Sequence, residues 1–283
     1  MKSVRRHPRV STVGARWRPR HWLGCRWPAV LALPLVASCA ELPPHAQKQV
    51  ASAREDYTKG NYPSARTKLD DVLKSYSSYT GAAEAYYLRA KILAETSRPG
   101  SPEKAAALRD AKRCIDLSTD SMLTAKAQAI AGTLEYESGS KASAIRYYAD
   151  ALKHLPEKTP TDLVRYNYAT CLQHEGRWSE ARREYTTLLQ RHPGSDLAER
   201  ARRMLDWPGD YFTIQCGAFR DPTSATKLSN KLRSAGLSAR VEPRTRSGEA
   251  LNMVYVGRYP TYQAAQSAMA SVMKHVTKAE IAP

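Results

Sequence analysis

The residues best equipped to do chemistry lie near the end of the chain, in Tyr211-Phe-Thr-Ile-Gln-Cys-Gly-Ala-Phe219 and in Asn252-Met-Val-Tyr-Val-Gly-Arg-Tyr259. Side chains of an extended strand alternate between two faces. Phe212, Ile214 and Cys216 therefore share one face with Val254 and Val256, while Tyr211, Thr213, Gln215, Met253 and Tyr255 share the other. Arg240 joins that second face from a neighbouring strand, and Arg258 follows at its end. Tyrosine rings stack on the C–H faces of a pyranose, an amide both donates and accepts, and a guanidinium pairs with a carboxylate. This is a chemistry for holding a carbohydrate that carries an anionic group. The same face would also serve as the ordinary wet side of an antiparallel sheet.

Catalytic chemistry has no comparable footing. The sequence contains no HExxH, CxxC, GxGxxG, P-loop or GxSxG pattern. His45, His154, His174, His192 and His275 are scattered without metal-ligand spacing. Cys114 and Cys171 fall within helical patterns and Cys216 on the apolar strand face, which makes them small core residues rather than nucleophiles. The expectation is a binding protein with no catalytic residue, no metal and no cofactor.

Positioning such a face requires elements, and composition bounds what they are. The 283 residues carry a net charge of +17, with 42% hydrophobic and 25% charged side chains, as folded globular domains do. The charge is uneven. Residues 1–38 hold eight basic and no acidic side chains, residues 39–206 hold 26 and 22, and residues 207–283 hold ten and five. The near-neutral middle argues against a nucleic-acid partner. At the start, the apolar run from Trp27 to Ser38 follows a basic stretch and is too short to span a bilayer. Val36-Ala37-Ser38-Cys39 resembles the bacterial lipobox. That resemblance implies a signal peptide over 1–38, an acylated Cys39 and a tether over 39–46. Ala at position 40, rather than Asp, favours an outer-membrane lipoprotein facing the periplasm.

Self-comparison organises the middle of the chain. Gly60, Gly100, Gly139 and Gly176 recur at intervals of 40, 39 and 37 residues. Five positions after three of these glycines stand Ala65, Ala144 and Ala181, and nine positions after them stand Leu69, Tyr148 and Tyr185. Glycine turns the chain, the small alanine lets paired helices approach, and the large residue fills the groove. The pattern resembles tetratricopeptide repeats (TPR) over 47–206, four helix pairs with a charged capping helix at Ser195–Asp206. The resemblance implies a superhelix whose inner wall holds a protein partner, with Tyr86, Arg89, Tyr166, Asn167 and Gln173 as candidate groove residues.

Trp207-Pro-Gly209 breaks the last helix as a short linker, and the hydrophobic period changes to two. Strands are expected at 211–217, 238–242, 252–256 and 279–282, with helices at Ser224–Ala235 and Tyr262–Lys274. That order is βαββαβ, a ferredoxin-like α+β domain over 210–283 with both helices on one face. The two strand motifs above, with Ala225, Leu232 through Gly236 and Ala265, resemble the SPOR domain. Met253 and Arg258 depart from residues frequent in that family. The resemblance implies binding to peptidoglycan glycan strands that have lost their stem peptides. Tyr211, Thr213, Gln215, Arg240, Met253, Tyr255 and Arg258 are the candidate contacts. The whole chain then reads as a lipoprotein of the cell envelope serving division or wall remodelling. A rival expectation is an outer-membrane assembly or secretion lipoprotein whose terminal domain docks protein.

Overall fold

In the computed structural model, residues 41–157, 160–246 and 248–283 are described. Cys39, the expected lipobox before it and the expected signal peptide over 1–38 lie outside them. Four helix pairs come first: α1 (Pro44–Thr58) with α2 (Tyr62–Tyr76), α3 (Ala83–Thr96) with α4 (Pro102–Leu117), α5 (Ser121–Glu137) with α6 (Lys141–Ala151), and α7 (Thr161–His174) with α8 (Trp178–Arg191). A ninth helix, α9 (Ala198–Leu205), covers the end of the array. The four turn glycines all adopt left-handed backbone, φ +76° to +88°, which a Cβ would strain. Ala65, Ala144 and Ala181 are buried, as are Leu69, Tyr148 and Tyr185. Tyr148 lies across Gly132 of α5, where an added Cβ would come within 2.8 Å of the ring. Full burial of such a side chain contributes about 1.5–3 kcal/mol, so the packing positions hold the array together.

The expected tether over 39–46 is shorter than the sequence suggests. Pro44 opens α1, and Leu42 is buried in the first core cluster with Ala46 and Val50. Proline suits the first helical turn because its missing N–H would have no partner there. Gly81 makes room for Leu42, whose backbone nitrogen would stand 2.8 Å from a Cβ.

The remaining chain forms β1 (Phe212–Phe219), α10 (Pro222–Ser234), β2 (Ala239–Arg246), β3 (Glu249–Tyr259), α11 (Tyr262–Met273) and β4 (Glu280–Ala282). The sheet runs β2-β3-β1-β4 with every pair antiparallel. Asp221 caps α10 by accepting from Thr223 N and Ser224 N at 3.0 and 2.9 Å. Ile214, Cys216, Val254 and Val256 meet Ala225, Leu232 and Val272 of the two helices in one core. The alternation read from the sequence holds on this face.

No flexible spacer separates the two parts. Arg182 of α8 donates to the carbonyls of Leu205, Trp207 and Gly209 at 3.1, 3.0 and 3.2 Å, and pairs with Asp210. The Trp178 indole donates to Pro260 O at 3.0 Å. His174 stacks on Tyr262 with ring centroids 4.3 Å apart, and Phe212 packs against His174, Trp178 and Tyr262. Burial, reinforced by Lys141, depresses the His174 imidazole to about 4. The buried neutral ring stabilises the fold fully above pH 6.5. That contribution is lost as pH falls from 6.5 towards 4, because the unfolded chain binds the proton first. The loss amounts to about 3 kcal/mol. Urea titrations at pH 7 and 4.5 should show a smaller acid loss in His174→Phe than in wild type. Equal losses would remove His174 as its source.

Candidate functional site

The sheet face away from α10 and α11 carries the side chains picked out by alternation, but they are not equally open. Gln215 sits in mid-sheet, paired across to Tyr255 on β3 and to Glu280 on β4. It is partly exposed, and its amide has no hydrogen-bond partner among the described residues. Tyr211 is partly exposed and Arg258 is exposed.

Three expected contacts are buried instead. Thr213 has no exposed surface, and its hydroxyl donates to Val256 O and Gly257 O at 3.1 and 2.9 Å. The register of β1 against β3 shifts between Phe212 and Ile214. A shift of this kind leaves carbonyls outside the ladder, and the threonine satisfies them. Met253 is buried between its cross-strand partners Ala218 and Glu242. Tyr255 is on the expected face but only 3% exposed. Trp207 meets its ring edge-on at 5.9 Å, and the Arg240 guanidinium lies 5.3 Å from its centroid. Burial raises the Tyr255 phenol above its ordinary value, against the opposing pull of Arg244 and Arg240.

Rings and guanidinium groups alternate across this face. Arg240 lies 5.6 Å and Arg258 5.0 Å from the Tyr211 centroid, while Arg244 lies 5.2 Å from Trp207. The Trp207 indole donates to Tyr211 O at 2.9 Å, which fixes its orientation. Glu242 pairs with both Arg240 and Arg244. Burial alone would raise the Glu242 carboxyl, but Arg240 and then Arg244 hold it below the usual carboxylate range. Trp207, Arg244 and Glu242 were not among the expected site residues. Trp207 read as a helix breaker, and only the fold brings it beside Tyr255. Glu242 stands two residues after Arg240 at the end of the expected strand, whereas Arg244 lies beyond its expected end at 242 and joins this face because β2 runs on to Arg246.

Along the edge of this cluster runs a groove of about 560 Å³, lined by Leu237, Ser238, Arg240, Gly257, Arg258 and Tyr259 among others. Its volume lies in the range of small-molecule sites, about 300–1,000 Å³.

The candidate partner groove is largely spoken for by packing. Tyr86 is buried and donates to Ser77 O. Arg89 is tied to Asp110 through two bonds of 2.7 and 2.8 Å and to Asp70 through one of 2.7 Å. Gln173 is buried and accepts from the Tyr185 hydroxyl at 3.2 Å. Polar residues on first helices here face the neighbouring helix, so these three hold repeats together instead of a ligand. Tyr166, against Tyr185, and Asn167 are half-buried.

Among the described residues no cluster of His, Cys, Asp or Glu is arranged to hold a metal, and no helix is long and apolar enough to cross a membrane. Cys114, Cys171 and Cys216 are free and buried. Burial pushes the first two thiols up to about 12 and the third to about 11, so the nucleophilic thiolate is scarce at neutral pH.

Fold and site together define a helical-repeat protein joined to a small antiparallel sheet with one aromatic and arginine-rich face. Family comparison gives each part its class. Residues 50–115 and 131–196 match the tetratricopeptide repeat, and residues 208–281 match the SPOR domain. TPR and SPOR are binding domains. The chain is similar to YrrB, described as a TPR protein with an unusual peptide-binding site, at 17% identity and TM-score 0.44, covering 56% of this chain and 81% of YrrB. It is also similar to a thermophilic TPR protein of Thermus thermophilus, at 17% identity and TM-score 0.35, covering 56% of this chain and 98% of that one. No curated protein matches the chain.

Proposed function

We propose that this chain is an acyl-anchored lipoprotein of the bacterial outer membrane. Its SPOR domain holds denuded glycan strands, and its repeats recruit a protein partner during cell division or wall remodelling. The observation that carries the glycan reading is the open Gln215 amide, set in mid-sheet beside Tyr211 and the arginines in a segment that matches SPOR over its whole length. A free amide at the centre of a rigid sheet can exchange hydrogen bonds with hydroxyl and N-acetyl groups without reorganising. The anchor rests on the lipobox resemblance around Cys39, since two or three acyl chains hold a protein stably on a membrane. The protein partner for the repeats rests on the match of residues 50–115 and 131–196 to the tetratricopeptide repeat.

The test is co-sedimentation of the purified chain with sacculi, untreated or stripped of stem peptides by an amidase. Wild type should enrich on the stripped sacculi. Gln215→Ala should bind about tenfold more weakly with an unchanged melting temperature, as expected for lost hydrogen bonds of about 0.5–1.5 kcal/mol each. Equal binding of wild type to both preparations would overturn the reading.

A further inference from the structure

The groove beside the sheet face points to how a stripped strand could be told from an intact one. Stripping a strand changes it chemically in one place. The lactyl group of each muramic acid, tied up as an amide to the stem peptide in the intact strand, becomes a free carboxylate. A site that reads this difference needs a cation with no acidic partner, placed within reach of a sugar ring.

Arg258 meets that description. It is exposed, lines the groove and lies over the Tyr211 ring, and it forms no ion pair among the described residues. Arg240 supplies a second positive group on the same wall. Its Nε donates to Glu242 at 2.7 Å and its Nη1 to Gly257 O at 2.7 Å, while the buried Nη2 has no hydrogen-bond partner. Glu242 is shared between Arg240 and Arg244, so one acid faces two bases and Arg258 remains uncompensated. That Nη2 is shut away from solvent with the guanidinium against the Tyr211 and Tyr255 rings, so Arg240 adds positive charge to the groove wall and leaves the direct carboxylate bond to the exposed Arg258. The left-handed Gly257, φ +70°, offers its carbonyl to both Thr213 and Arg240 at this point, fixing Arg240 to the groove floor.

We infer that Arg258, with Arg240 behind it, forms a carboxylate subsite in the groove that takes the free lactyl group of muramic acid and so sets the preference for denuded glycan. This subsite rests on the glycan reading above and assigns its specificity to a position where the chain departs from residues frequent among SPOR domains. Arg240 is held by structural bonds, so the informative variants are at Arg258, supported by a chemical change in the glycan.

Soluble denuded glycan is compared with the same glycan whose carboxylates have been converted to methylamides, using the full chain. Wild type should lose about tenfold in affinity on methylamidation. Arg258→Ala should bind denuded glycan about tenfold more weakly than wild type and should not distinguish the two glycans. Arg258→Lys should retain part of the discrimination, and raising the salt should reduce it, because this position is exposed. Equal wild-type affinity for the two glycans, with Arg258→Ala binding like wild type, would overturn the subsite and leave the glycan reading standing. Absence of wild-type binding to either glycan would instead remove the glycan reading itself.

Discussion

Arg89→Ala is expected to destabilise the chain by about 3–5 kcal/mol, the usual cost of removing one member of a buried ion pair. Arg89 lies at the centre of three helices, joined to Asp70 of α2 and to Asp110 of α4. Asp110 is the vulnerable partner. It is 6% exposed, and both of its oxygens are held by Arg89. Truncation at position 89 leaves this carboxylate buried without its two charge-assisted bonds. Asp70 is half-exposed and can turn to water, so its loss contributes little. The double variant Arg89→Met/Asp110→Leu should recover most of the stability, because an apolar pair needs no partner. Denaturant midpoints of wild type, single and double variants give the comparison. A single variant within about 1 kcal/mol of wild type would show that Asp110 finds another partner.

The same arginine shows where sequence reading stops. The repeat scaffold was legible because its determinants are local. A turn glycine, an alanine five later and a large residue nine later specify a helix pair, and all four turn glycines have the expected backbone. The terminal domain was legible for a similar reason, since a period of two assigns Ile214, Val254 and Val256 to the core whatever lies elsewhere. Alternation says which face a side chain takes, but not what else arrives there. Tyr255 is on the expected face and is covered by Trp207, which comes from the joint and not from the sheet. Thr213 is withdrawn by a register shift that no local pattern announces. Arg89 was a plausible ligand contact in one repeat considered alone. Its partners lie 19 and 21 residues away on other helices, and only packing brings them to it.

Phe212→Ala is expected to cost a comparable 3–5 kcal/mol, roughly the range for truncating a buried phenylalanine, and to change how the molecule unfolds. Phe212 opens β1 and is 1% exposed. Its ring touches Trp178 at 4.8 Å and His174 at 5.7 Å on the repeats, and Tyr262 at 5.7 Å on α11. It is therefore core to both parts at once. The joint's remaining ties, chiefly Trp178 to Pro260 O and the Arg182 bonds to three carbonyls, contribute about 0.5–1.5 kcal/mol apiece, or somewhat more where a charge takes part. They cannot replace a filled aromatic core. Calorimetry on wild type should give one transition, because neither part can open without breaking this cluster. The alanine variant should give two, with the SPOR domain melting first, since a small domain buries a smaller fraction of its surface. Phe212→Leu keeps most of the volume and should stay a single transition, losing less than about 1.5 kcal/mol. A single transition in Phe212→Ala at the wild-type temperature would mean that the two parts are coupled elsewhere. The coupling matters for binding as well, because Trp207 reaches the sheet face from the same joint. Loosening the joint should then weaken binding at the proposed glycan face even though Phe212 packs on the other side, against Trp178, His174 and Tyr262.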